Sequence, residues 1–135
     1  YRKFGWNFGM AFQMIDDVLD YAASEDNLGK PVFQDLADGK VTLPAILMME
    51  SGEQSELTRI LSERKLSPES QSILADLMAR HDIIPRCMRE ADQYLSEARE
   101  ILSSTREDSF PSQNSLLALC DYILQQHGLP QPSLT

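Results

Sequence analysis

An all-α fold is predicted by three observations. Apolar residues recur at three- and four-residue spacing along most of the chain, and the breaks between these stretches carry the Pro, Gly and Ser residues that start and stop helices. No alternating β-branched strand pattern and no fixed-period repeat is present, so helices packed around a mixed core are the expected architecture.

The first helix is expected from the start of the chain to about Ala23, where Ser24, Glu25, Asp26 and Asn27 supply turn formers. Its circumference is mostly apolar, from Phe8 through Met10, Phe12, Met14, Ile15, Val18, Leu19 and Tyr21, which predicts burial on most sides. A polar loop comes next, from Leu28 to Lys40, interrupted by two glycines and a proline. Thr42 and Pro44 then open a second helix that reaches about Glu50 and is closed by Ser51 and Gly52. Glu53 to Arg64 reads as a short amphipathic helix with Leu57, Ile60 and Leu61 inward. Ser67, Pro68 and Glu69 start another that runs to about His81 and carries Ile73, Leu74, Leu77 and Met78. The longest stripe spans Ile84 to Ser104, with Cys87, Met88, Ala91, Tyr94, Leu95, Ala98, Ile101 and Leu102. Ser109 to Pro111 breaks the chain. Leu116 to Gln126 forms the last helix, stopped by Gly128 and Pro130.

At 135 residues with 42% hydrophobic content the chain is expected to be a single helical domain or fragment, residues 1–135, and not a disordered tail. Twelve basic against twenty-one acidic residues give a net charge of −9, which argues against a nucleic-acid surface and against attraction to anionic lipid. A phosphorylated substrate would therefore need local cations. Cys87 and Cys120 lack metal-like spacing and sit in apolar helical stretches, so buried free thiols in a reducing compartment are expected. No apolar run is long enough for a membrane span and no signal peptide is visible, which predicts a soluble, cytoplasmic protein. Tyr1 is not a natural start, and residues 1–8 read as a helix interior without a cap, so a preceding segment is expected.

The chemistry is concentrated in the first helix. At about 100° per residue, Gln13, Asp16, Asp17 and Asp20 fall within a wedge of roughly 100°, and the surrounding apolar positions predict that these acids point into a cavity. Three neighbouring anions repel one another and cost several kcal/mol if buried without a cation. Magnesium is the economical solution, since it binds through one or two carboxylates together with substrate phosphates. An ordinary solvated acidic face is disfavoured by the apolar flanks. Lys30 and Lys40 flank the next loop and are suited to hold a diphosphate as point charges with hydrogen-bond donors. Asp35 and Asp38 read either as outer-shell partners of the metal and lysines or as loop solvation. His81 and His127 stand at predicted helix ends, where an imidazolium complements the dipole. Trp6, Phe8 and Phe12 read as core more readily than as a substrate channel. No nucleophile elbow, nucleotide-phosphate loop or dinucleotide fingerprint is present, and no catalytic acid, base or nucleophile is assigned.

The string from Phe8 to Tyr21, Phe-Gly-Met-Ala-Phe-Gln-Met-Ile-Asp-Asp-Val-Leu-Asp-Tyr, resembles the second aspartate-rich motif of the trans-isoprenyl diphosphate synthases, or polyprenyl synthetases. The resemblance continues in order through Leu28-Gly29-Lys30-Pro31, Asp35-Leu36 and Gly39-Lys40-Val41-Thr42-Leu43-Pro44, and more weakly through Tyr94 to Leu102 and Ser115 to Leu124. It is closest to the C-terminal part of the long-chain branch.

This resemblance implies an isoprenoid-synthase-type helical bundle in which two aspartate-rich motifs bind Mg2+ that grips an allylic diphosphate. Departure of the diphosphate leaves an allylic cation, which isopentenyl diphosphate attacks to lengthen the chain. On that pattern Asp16, Asp17 and Asp20 form the second metal-binding motif, with Asp16 a direct ligand, while Gln13, Lys30 and Lys40 contact the allylic diphosphate. Homo-oligomers are expected for such proteins. The family usually has glycine where Phe33 stands, a small or acidic residue where Gln34 stands, and arginine near Gln125-Gln126-His127. The first aspartate-rich motif is not in this sequence, so turnover by this chain alone is not expected. A non-catalytic subunit of a prenyl synthase complex and a terpene cyclase fragment are the alternatives, and the lysine loop favours chain elongation over cyclisation.

Overall fold

The computed structural model describes residues 2–22, 33–63, 65–104 and 111–126, and every regular element among them is a helix. In chain order these are α1 (Arg2–Ala22), α2 (Gln34–Ala37), α3 (Leu43–Glu50), α4 (Gln54–Leu61), α5 (Pro68–Arg80), α6 (Ile83–Ser104) and α7 (Pro111–Gln126). The chain divides into two compact units, Tyr1–Ile15 with Met88–Thr135, and Asp16–Cys87. Among the described residues no helix is long and apolar enough to cross a membrane.

In the first unit the buried positions follow helical spacing. Phe4, Asn7, Ala11 and Ile15 line one face of α1, and Met88, Ala91, Leu95, Ala98 and Leu102 line one face of α6. Each fully buried Leu or Ile contributes roughly 1.5–3 kcal/mol from the apolar area withdrawn from water. Cys120 and Ile123 are the buried residues of α7, which is tied to α6 by an Arg99 guanidinium donating to Asp121 and by Gln113 donating to the Leu102 carbonyl. Cys87 and Cys120 are buried and not joined in a disulfide, and burial pushes the Cys120 thiol above its ordinary value.

The second unit builds its core from Val18, Tyr21, Phe33, Leu36, Ala45, Met48, Leu57, Ile60, Leu74, Leu77 and Ile83, with α3 packed on α4. Gly52 turns the chain from α3 toward α4 at φ 95°, a left-handed conformation that glycine takes without a Cβ clash. Helix α5 begins on the predicted Ser67-Pro68 signal, and the Ser67 hydroxyl accepts the Ser70 N–H at 3.1 Å.

Several expectations are corrected. Helix α1 is buried along one face only, and Trp6 (67% exposed) and Phe12 (53%) lie outside the core instead of within it. Their positions fall away from the Phe4–Asn7–Ala11–Ile15 line, so helical geometry turns them outward. Leu61, expected inward, is exposed because α4 buries only Leu57 and Ile60 before it ends. Helix α7 starts at Pro111 rather than Leu116, because a proline that breaks one helix is also pre-organised for the first position of the next. The loop after α1 contains a short helix, α2, which apolar periodicity could not reveal over four residues.

Candidate functional site

The end of α1 forms one wall of an acidic corner in the second unit. Asp16 is exposed, while Asp17 and Asp20 are half-buried. The acids therefore stand at a surface and not inside a closed cavity, because the buried face of α1 runs through Val18 and Tyr21 on its other side. Gln13 belongs to the first unit and is exposed.

Asp20 organises the turn between Phe33 and Lys40. Its carbonyl accepts the Phe33 N–H at 3.2 Å, and its Oδ2 accepts the Asp35 N–H at 3.0 Å. The Asp35 amide lies in the first turn of α2, where an N–H has no partner within the helix and a carboxylate is electrostatically favoured. The turn then closes on itself, with the Ala37 N–H on the Phe33 carbonyl at 3.0 Å, the Gly39 N–H on Leu36 at 3.1 Å and the Lys40 N–H on Asp35 at 2.9 Å. Gly39 makes this possible at φ 79°.

These bonds carry Lys40 back beside the acids. Its Nζ lies 3.5 Å from Asp35 Oδ1, and its side chain is 65% exposed. An ion pair so open contributes at most about 1 kcal/mol, so its value lies in aiming the ammonium rather than in stability. Asp20, Asp35 and Lys40 thus form a linked series from α1 to the start of α3. Asp38 is exposed, and Lys30 lies outside the described residues.

Phe33 occupies a left-handed conformation, φ 64°. A non-glycine residue there costs about 1–2 kcal/mol. The cost is offset by burial, since the Phe33 ring is almost fully covered and packs edge-on to Tyr21 at 5.5 Å and 69°. The two rings help line a cleft of about 360 Å³ with Met78, Ile84 and Pro85, so the aromatic bulk is taken up in packing.

Tyr21, read from sequence as an apolar position, and Thr42, read as a helix start, complete the corner. The Thr42 hydroxyl donates to the Tyr21 oxygen at 3.3 Å. Burial pushes the Tyr21 phenol up to about 12 against the opposing Thr42 hydrogen bond, and the negative charges of Asp20, Asp35 and Asp17 add to the rise. The field of three carboxylates therefore converges near this hydroxyl. The available signal was positional, a tyrosine directly after the last acid and a threonine two residues after the lysine.

Among the described residues no three acidic, histidine or cysteine side chains converge as a ready metal cage. His81 is the C-cap of α5, with Nε2 3.7 Å from Glu53 Oε1.

Residues 1–78 match the polyprenyl synthetase family. The chain is 34% identical over 111 residues to the octaprenyl diphosphate synthase of Haemophilus influenzae, covering 81% of this chain and 34% of that one. It superimposes on the octaprenyl pyrophosphate synthase of Helicobacter pylori with a TM-score of 0.74 and 31% identity, over 90% of this chain and 40% of that one. The polyprenyl synthase of Caulobacter crescentus, solved with calcium and isoprenyl diphosphate, gives 0.74 and 27% over 94% and 39%. The chain spans about a third of the length of the relatives it matches. An all-α fold, an aspartate-rich helix end joined to a lysine turn, and these likenesses together establish that the chain belongs to the polyprenyl synthetase family.

Proposed function

We propose that this chain supplies one side of the diphosphate site of a prenyltransferase that condenses isopentenyl diphosphate with an allylic diphosphate to give a polyprenyl diphosphate. The observation that carries the reading is the series Asp20, Asp35 and Lys40, which links an acidic helix end to a cation through two hydrogen-bond or ion-pair contacts. In this reading Asp16, Asp17 and Asp20 hold Mg2+, and Gln13, Lys30 and Lys40 take the substrate diphosphate. Asp35 orients Lys40 from outside that contact.

Magnesium, when bound, would neutralise the diphosphate charge that develops as the allylic bond breaks. The chain's own contribution is positional. Lys40 offers an exposed ammonium to phosphate oxygens, while the hydrogen bond from the Asp35 N–H fixes one oxygen of Asp20 and so orients that carboxylate. The reading includes association with further protein surface, supported by the exposed Trp6, Phe12 and Val41, and a homo-oligomer is the form it takes. Two buried thiols not joined in a disulfide suit a reducing, cytoplasmic setting.

Titration calorimetry with inorganic diphosphate tests the site. Weak binding that requires Mg2+ is expected, lost on Asp16→Ala and weakened but still measurable on Lys40→Ala, while labelled isopentenyl diphosphate shows no condensation above a blank with this chain alone. Diphosphate binding indifferent to magnesium and to both substitutions would refute the reading.

A further inference from the structure

We propose that Tyr21 is a positioning residue for diphosphate binding, acting through Thr42 to hold Lys40 beside the acidic end of α1. The inference rests on the diphosphate reading above and adds to it a residue pair that takes no part in binding by direct contact.

Thr42 stands at the N-cap of α3 with the extended backbone of a capping residue, φ −109° and ψ 170°, yet its side chain makes no capping hydrogen bond. A threonine so placed ordinarily accepts an N–H of its own helix, worth about 1 kcal/mol. Here the hydroxyl leaves its helix and donates to Tyr21 instead. That contact spans from α1 to the segment between Lys40 and α3, and it pins the backbone two residues beyond the lysine.

Lys40 has two other ties, both to Asp35. The side-chain pairing is long and exposed, and the Lys40 N–H on the Asp35 carbonyl at 2.9 Å holds the backbone on the α2 side, so the Thr42 contact holds it from the α3 side. Tyr21 suits that task because its ring is buried and held edge-on by Phe33. Removing the oxygen alone, as in Tyr21→Phe, keeps the ring packing and releases the Thr42 tether.

The test uses the 135-residue chain, Mg2+ and inorganic diphosphate, read by calorimetry with helicity followed by circular dichroism. Tyr21→Phe and Thr42→Val should each weaken affinity about two- to tenfold with helicity unchanged, the range expected for one lost hydrogen bond. Thr42→Ser, which keeps the hydroxyl, should restore binding. In a Lys40→Ala background, Tyr21→Phe should cost nothing more, because its effect passes through the lysine. If the unaltered chain shows no magnesium-dependent binding, the diphosphate reading fails and this inference with it. If the unaltered chain binds and Tyr21→Phe binds equally well, or weakens binding by the same factor with and without Lys40, the positioning role alone is overturned.

Discussion

Ser67 and Thr42 begin helices with the same local pattern, each a hydroxyl residue with proline close behind, and the fold uses them oppositely. The Ser67 hydroxyl accepts the Ser70 N–H, the Ser67 N–H donates to Glu63 at 3.2 Å, and the Ser70 hydroxyl donates to the same carboxylate at 2.6 Å. These bonds, led by that from Ser70, hold the Glu63 carboxyl below its ordinary range. The corner gathers at the start of α5, and Arg59 of α4 also reaches Glu63 at 3.9 Å. At Thr42 the helix goes without its side-chain cap, and the hydroxyl joins a tyrosine under the field of three carboxylates. One helix start is optimised for local stability, and the other gives up a local bond to connect the acids with the lysine. Departures of this kind from local rules are characteristic of functional positions.

The sharpest break of this comparison concerns Phe33, whose packing sustains the Thr42 corner in place of a cap. Phe33→Ala should cost about 3–5 kcal/mol in denaturant unfolding, the usual loss for a buried aromatic. Phe33→Gly should be less damaging than Phe33→Ala by about 1 kcal/mol, the reverse of the ordinary order, because only glycine relieves φ 64°. If glycine proves worse than alanine, strain at this residue is not part of the corner's energetics.

A smaller effect separates the corners by pH. The folded Tyr21 phenol sits near 12 against an ordinary value of 10, so its contribution is complete below pH 10. It is lost as pH rises toward 12, because the unfolded phenol ionises first and the folded state then holds the extra proton. Stability should fall by up to about 3 kcal/mol across that window. The drop should be reduced in Tyr21→Phe and unaffected by Ser67→Ala, as followed by chemical unfolding at stepped pH.

The smallest effect compares the caps themselves. Ser67→Ala should lower stability by about 1 kcal/mol. Thr42→Val should cost about 0.5–1 kcal/mol through the lost Tyr21 bond, and nothing further in a Tyr21→Phe background, since no cap of α3 is lost. A cost undiminished in the Tyr21→Phe background, read in thermal unfolding, would erase the distinction between the two helix starts.

Much of this was legible in the sequence. The span of α1, the Ser67 start of α5, the long stripe of α6 and the closure of α3 at Ser51 and Gly52 agree with the reading by period and punctuation, as do the buried thiols. The acidic motif and Lys40 were likewise visible from residue type and spacing. The exposure of Trp6 and Phe12 was not, because an apolar side chain shows that burial would be favourable and not which neighbour provides it. Helix α2 was missed for a different reason, since four residues held by Asp20 from another element leave no periodic trace.

By itself the sequence determined that this chain is helical, where most helices begin and end, and that its acidic stripe and lysine loop follow the residue order of one family. Those properties come from local periodicity, capping chemistry and residue order, which need no distant partner. The tertiary structure decided which hydroxyl caps its own helix and which reaches across, that Phe33 holds a left-handed turn by packing on Tyr21, and that Asp20 meets the Asp35 amide. Each of these depends on residues far apart in the chain meeting at hydrogen-bond or van der Waals range, a matter of packing that no local pattern specifies.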